Sequence, residues 1–142
     1  VTDSIRLADS YVRIGDCYFI QKEYFKAIDF YQQSTNYRGL DNDYGMLQTA
    51  LAQGVIKKSA EKVETLEKLI SEFPNSKYLD VAKFQLGRSF MLANETNKSI
   101  NYFFKVVDDH PNSTYVKQSL TSLGLLYYNT NTIRNSHRDS FN

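Results

Sequence analysis

Apolar side chains recur at intervals of three and four along most of the chain, in blocks separated by polar clusters. Leu79, Ala82, Leu86 and Phe90 form one stripe and Ile100, Phe103, Phe104 and Val107 the next, with the polar run ANETNK, Ala93 to Lys98, between them. That period predicts two amphipathic helices joined by a turn. Tyr11, Ile14 and Tyr18, then Tyr24, Ala27, Ile28 and Tyr31, predict the same arrangement again. The blocks are copies of one unit. FPNSKYLDVAKFQLGRSF, Phe73 to Phe90, returns 37 residues later as HPNSTYVKQSLTSLGLLY, His110 to Tyr127. A small residue on the first helix also stands 12 residues before the small residue that opens the second, Gly15 with Ala27 and Gly87 with Ser99. Between Asp43 and Ser76 a weaker copy has Ala50 as its small residue, Lys62 at the place of Ala27, and Val63, Leu66, Ile70 and Phe73 as its stripe. Helix-turn-helix repeats are therefore expected near 8–41, 43–76 and 80–113, with half a repeat at 117–130.

Each recurring residue has a physical task. Gly15, Ala50, Gly87 and Gly124 carry little or no side chain, which lets paired helices approach closely, and glycine there outweighs its helix cost of about 1 kcal/mol. Pro74 and Pro111 lack the N–H that a continuing helix needs and turn the residue before them away from helix. Asn75 or Ser76, and Asn112 or Ser113, are candidate caps for the helix that follows. Residues 122–128, SLGLLYY, are apolar, but the polar sequence after them does not supply a matching second helix. Asn129 to Asn142 is expected to be disordered or irregular, with residues 131–142 as a polar tail. Leu125, Leu126, Tyr127 and Tyr128 then form an apolar edge, which serves as a terminal cap, as the truncated side of a longer array, or as a contact with another copy.

Composition narrows the chemistry. At 142 residues with a net charge of +1, the chain is the size of one domain and has no strong field for nucleic acid or an anionic membrane. Its tyrosines are accounted for by repeat positions rather than by a base-stacking surface. No apolar run is long enough to span a membrane, VTDSIRL lacks the core of a signal peptide, and Val1 in place of Met reads as a processed or excised chain. One cysteine, Cys17, excludes an internal disulfide and a cysteine-based zinc cluster, and is expected to be a small packing residue. His110 takes the place of Phe73 in the preceding copy, so it is read as a half-buried structural residue, and His137 lies in the polar tail. Asp108 with Asp109, and Asp41 with Asp43, are read as solvated carboxylates near helix ends. No phosphate-cradling or nucleophile-elbow motif is present. The expectation is a protein that is not an enzyme, with no catalytic residues, metal or cofactor.

The residues Tyr11, Ile14, Gly15, Tyr18, Ala27 and Tyr31, and again Leu86, Gly87, Phe90, Phe103 and Pro111, resemble the tetratricopeptide repeat, a helix-turn-helix unit of about 34 residues. The resemblance implies an all-α, right-handed α-solenoid of antiparallel helix pairs, about three and a half units, whose first helices line a concave groove. Its groove positions fall on Asp9, Val12, Arg13 and Asp16; Tyr44, Leu47, Gln48 and Leu51; Val81, Phe84, Gln85 and Arg88; and Gln118, Thr121, Ser122 and Leu125. Of these, Arg13, Asp16, Tyr44, Gln48, Phe84, Gln85 and Arg88 are the candidate binding residues, with Phe84 and Tyr44 as anchors. The Lys and Asn set with which some members clamp a terminal carboxylate is missing, and Asp16 would repel such a ligand. The resemblance implies a scaffold that binds a peptide segment or partner helix; the alternative is a structural segment that self-associates through its C-terminal edge. The two PNS joints are also similar to those of bacterial cell-envelope repeat proteins, the Tol-Pal coordinator and the outer-membrane-assembly lipoprotein, which implies a periplasmic or envelope setting.

Overall fold

The computed structural model describes residues 2–140, with side chains from 3 to 131. It is all-α: seven helices and no strand among the described residues. They are α1 (Thr2–Ile20), α2 (Tyr24–Ser34), α3 (Asn42–Val55), α4 (Ser59–Glu72), α5 (Leu79–Leu92), α6 (Thr96–Asp109) and α7 (Val116–Ser140). Three helix-turn-helix pairs and a seventh helix give about three and a half repeats, the class and count expected from the hydrophobic period. Two compact units are formed, residues 1–82 and residues 83–142.

Inside each pair the turn is one construction used three times. Lys22, Lys57 and Asn94 adopt left-handed backbone, with φ of 63°, 66° and 59°. Their N–H groups donate to the carbonyls of Phe19, Gly54 and Met91, and the next N–H groups, of Glu23, Lys58 and Glu95, donate to Tyr18, Gln53 and Phe90. This is a Schellman closure, which satisfies the last carbonyls of the first helix and turns the chain directly into the second. The joint that ends a pair is equally regular. Ser76 N–H donates to the Phe73 carbonyl and Ser113 N–H to that of His110; the two serine hydroxyls then accept from Tyr78 N–H at 3.1 Å and Tyr115 N–H at 3.0 Å. At both joints it is serine, not asparagine, whose hydroxyl holds the residue just before the next helix.

The first unit is organised around Gly15. Tyr31 of α2 is fully buried, and its ring would lie 2.6 Å from a Cβ added at Gly15. Val12 and Ala27 complete that core, with Tyr18 packed against it, and Phe30 stacks on Tyr18 at 5.4 Å between ring centroids. The second unit repeats the device: the buried ring of Phe103 would meet a Cβ at Gly87 at 2.7 Å, and Tyr102 stacks on Phe90 at 5.7 Å. Ser99, at the place of Ala27, is fully buried and donates its hydroxyl to the Gly87 carbonyl at 2.7 Å, so the polar substitute is satisfied. Phe84, Phe103, Val106, Leu123 and Leu126 form the core of this unit.

Three expectations change. α7 continues as helix to Ser140, where irregular backbone was expected from Asn129. No proline or glycine follows Gly124, so the strongest helix breakers are missing from this stretch and the helix, once nucleated, extends through it. The remaining tail residues, Phe141 and Asn142, lie outside the described residues. Leu126 is 7% exposed and belongs to the core, because α7 turns Leu123 and Leu126 inward together. Cys17 is exposed on α1 rather than packed.

Two substitutions test this packing by urea denaturation. Gly87→Ala gains about 1 kcal/mol of helix propensity but forces a methyl into the immobile Phe103 ring at a cost of about 1–3 kcal/mol, so its midpoint falls. Lys57→Gly relieves left-handed backbone at an exposed turn and raises stability by about 1 kcal/mol.

Candidate functional site

On α1, Arg13 and Asp16 are one turn apart and face the same way. The Arg13 guanidinium donates through Nη1 to Asp16 and through Nη2 to Asp41, each at 2.8 Å. Asp16 is the hub. Its Oδ1 also accepts from the Tyr31 hydroxyl of α2 at 2.7 Å and from the Tyr44 hydroxyl of α3 at 3.0 Å. Gln48, one turn beyond Tyr44, donates its Nε2 to the Tyr44 oxygen at 3.2 Å. A carboxylate whose side chain is only 19% exposed needs partners to replace lost water, and Asp16 receives three donors from three helices. The Arg13 guanidinium also lies 5.5 Å from the Tyr44 ring centroid, a cation–π contact that holds both side chains in place.

Four of the seven predicted binding residues, Arg13, Asp16, Tyr44 and Gln48, are thus joined in one network on the first unit. The remaining three lie on α5 in the second unit. Arg88 is exposed, with its guanidinium 6.0 Å from the Phe84 ring, and Gln85 is half-buried. Phe84 itself is 3% exposed and packs against Phe103 and Tyr115, at 5.9 and 4.8 Å between ring centroids. It is a core residue, not an open anchor. Val12 and Leu47 hold the same place on α1 and α3 and are buried too. On α1 that position faces the next first helix: Val12 lies 3.6 Å from the Cβ site of Gly45 on α3. Thr121, the fourth member, is exposed.

Tyr31 and Asp41 belong to the network but were not among the predicted site residues. Tyr31 fits the buried stripe by its ring, and only its hydroxyl joins the site. Asp41 looks like a solvated loop carboxylate, and its spacing from Arg13 carries no sequence signal. Elsewhere His110 is half-buried, as expected of a structural residue, with Nε2 facing Lys83 Nζ at 2.9 Å. The His137 side chain lies outside the described residues. At the C-terminal edge Leu125, Tyr127 and Tyr128 are exposed, as is Leu120, while Leu126 is not. Among the described residues no group of His, Cys, Asp and Glu is placed to hold a metal ion, and no helix is long and apolar enough to cross a membrane.

Residues 44–76 and 81–113 match the family model of the tetratricopeptide repeat. These two segments, just under half of the chain, are similar to tetratricopeptide repeats. Both matched segments begin on a first helix and end after a Pro-Asn-Ser joint. Among solved structures, the chain is similar to the first tetratricopeptide domain of Spaghetti (RPAP3) bound to the HSP90 peptide SRMEEVD, with 17% identity over 89% of this chain and 94% of that one, at a TM-score of 0.73. It is also similar to the TPR2AB domain of yeast Sti1 in complex with HSP90, with 15% identity over 93% of this chain and a TM-score of 0.76; here the chain spans half the length of its neighbour. At these identities the likeness establishes the fold. No curated protein matches the sequence.

Burial, reinforced by the hydrogen bond to Asp16, pushes the Tyr44 hydroxyl up from 10.0 to about 12 and raises that of Tyr31 as well. Below the ordinary tyrosine value both folded and unfolded chains hold these protons, and the network contributes fully. Above pH 10 the unfolded chain ionises first, so stability is lost as pH rises toward about 12. Denaturation midpoints across that window fall in the natural chain, and the fall is shallower in Tyr44→Phe.

Proposed function

We propose that this tetratricopeptide-repeat chain is a non-catalytic protein-interaction scaffold that holds a peptide segment or a partner helix against the first helices of its repeats. One observation carries the reading: the Arg13–Asp16–Tyr44–Gln48 network fixes a ring face, an amide and a guanidinium in one orientation on α1 and α3. Side chains already held in place lose little freedom on binding, so more of each contact appears as affinity. Arg88 and Gln85 offer the same kinds of group on the second unit.

The polarity of the site selects its ligand. Arg13 is already neutralised by Asp16 and Asp41, and Asp9 and Asp43 add two further carboxylates on α1 and α3, the helices that carry the network. The peptide SRMEEVD held by the Spaghetti domain is acidic toward its end; a segment bearing Lys or Arg suits the carboxylates here better. The setting we propose is the periplasm or cell envelope of a bacterium, supported by the likeness of the two PNS joints to those of envelope repeat proteins.

Anisotropy with labelled peptides of matched length, one rich in Lys and Arg and one acidic, tests this reading. Asp41 makes no side-chain cap bond to α3, so Asp41→Asn with Gln48→Ala leaves the helices intact. That pair weakens the basic peptide by about tenfold, or about 1.4 kcal/mol, at unchanged circular dichroism. Tighter binding of the acidic peptide, or no effect of the double substitution, refutes the site. Crosslinked capture then identifies the partner.

A further inference from the structure

α7 has two unlike sides. Ser119, Leu123 and Leu126 are buried, whereas Leu120, Gly124, Tyr127 and Tyr128 form an adjoining stripe, at helical spacing, that is open. The tyrosines are 48% and 69% exposed, and apart from its own helical turn nothing lies within 4 Å of the Cβ site of Gly124. α7 runs on as one helix through Ser140, so this stretch of chain does not turn back over that glycine.

The same molecule shows twice what such a seat receives. Gly15 and Gly87 hold the place of Gly124 on α1 and α5, and each is covered by a fully buried ring, Tyr31 or Phe103, at 2.6 and 2.7 Å from its Cβ site. The residue before each covering ring, Phe30 or Tyr102, stacks on the ring three positions after the glycine, Tyr18 at 5.4 Å or Phe90 at 5.7 Å. A glycine seat therefore takes two successive aromatic residues of an opposed helix, the second over the glycine and the first over its neighbouring ring. On α7 the seat is Gly124 with Tyr127, and α7 also carries the filling, because Tyr127 and Tyr128 are two successive aromatic residues.

We propose that the chain forms a two-fold dimer in which α7 packs antiparallel against α7 of a second copy. When the partner's Tyr128 lies opposite Gly124, the partner's Tyr127 falls opposite Tyr127, and the offset between these two pairings is the one seen within α1 and α2 and within α5 and α6. The pairing is self-complementary: each helix offers one seat and one filling, so a single symmetric contact satisfies both. The absence of a side chain at Gly124 lets the two axes approach closely, and the exposed tyrosines leave water for a ring-lined contact.

Sedimentation velocity and light scattering on the full chain test the dimer. The natural chain is expected to show a monomer–dimer equilibrium that shifts on dilution. Gly124→Leu fills the seat at a position where an added Cβ meets nothing across the helix, and Tyr128→Ala removes the filling; each weakens the dimer at least about tenfold. Asn129→Ala, exposed but off the stripe, leaves it unchanged, and circular dichroism is the same for all three. A concentration-independent monomer, including one whose α7 instead takes up an amphipathic helix of another protein, overturns the proposal. So does a dimer that Gly124→Leu leaves intact.

Discussion

The closeness of paired helices over a residue that lacks a side chain is the constraint on which the rest depends. At Gly15 and Gly87 the opposing ring occupies the volume a methyl group would need, so the axes are set by the ring and not by a pair of interleaved side chains. That closeness buries Tyr31 and Phe103 completely. Burial of such a ring contributes about 2–3 kcal/mol by area removed from water. It also dictates how the turn is built, since two helices this close leave no room for a wandering connection. A three-residue Schellman closure through Lys22, Lys57 or Asn94 returns the chain at once, even though a residue other than glycine is strained there.

The candidate site follows from the same packing. Once Tyr31 is drawn over Gly15, its hydroxyl arrives beside Asp16, and the half-buried carboxylate then needs further donors. Arg13 supplies one from the same helix and Tyr44 another from α3, which ties the second repeat to the first through a polar contact as well as an apolar one. A structural demand, satisfying Asp16, thereby produces an ordered polar surface. The network is a joint of the fold, and Tyr44 belongs to it through its ring and its hydroxyl alike.

Much of this was legible in the chain itself. The 37-residue echo located the joints, Pro74 and Pro111 ended helices as their chemistry requires, and Gly15 and Gly87 proved to be close-packing positions. What was not legible has particular reasons. Phe84 lies in a sector of α5 that covers both an open face and a seam, and helical spacing alone does not divide the two. Leu126 and Tyr127 are neighbours in sequence with opposite fates because 100° of rotation separates them. Lysine at Lys22 and Lys57 gives no hint of left-handed backbone, a conformation usually signalled by glycine. The polar run after Asn129 suggested disorder because it lacks apolar partners, yet it extends a helix already nucleated and packed by Leu123 and Leu126, which removes the nucleation cost.

By itself the sequence determined the periods: which segments are helices, where a pair ends, and which small residues permit contact. These are local properties, set by backbone chemistry and by the spacing of apolar groups along one helix. Only the tertiary structure decided which groups meet across helices. Asp16 and Asp41 are alike as letters, and so are Gly87 and Gly124. They differ because a ring and its hydroxyl were brought to Asp16 and a ring to Gly87, while the seat on α7 stayed open; distance in space, which the order of residues does not record, made the difference.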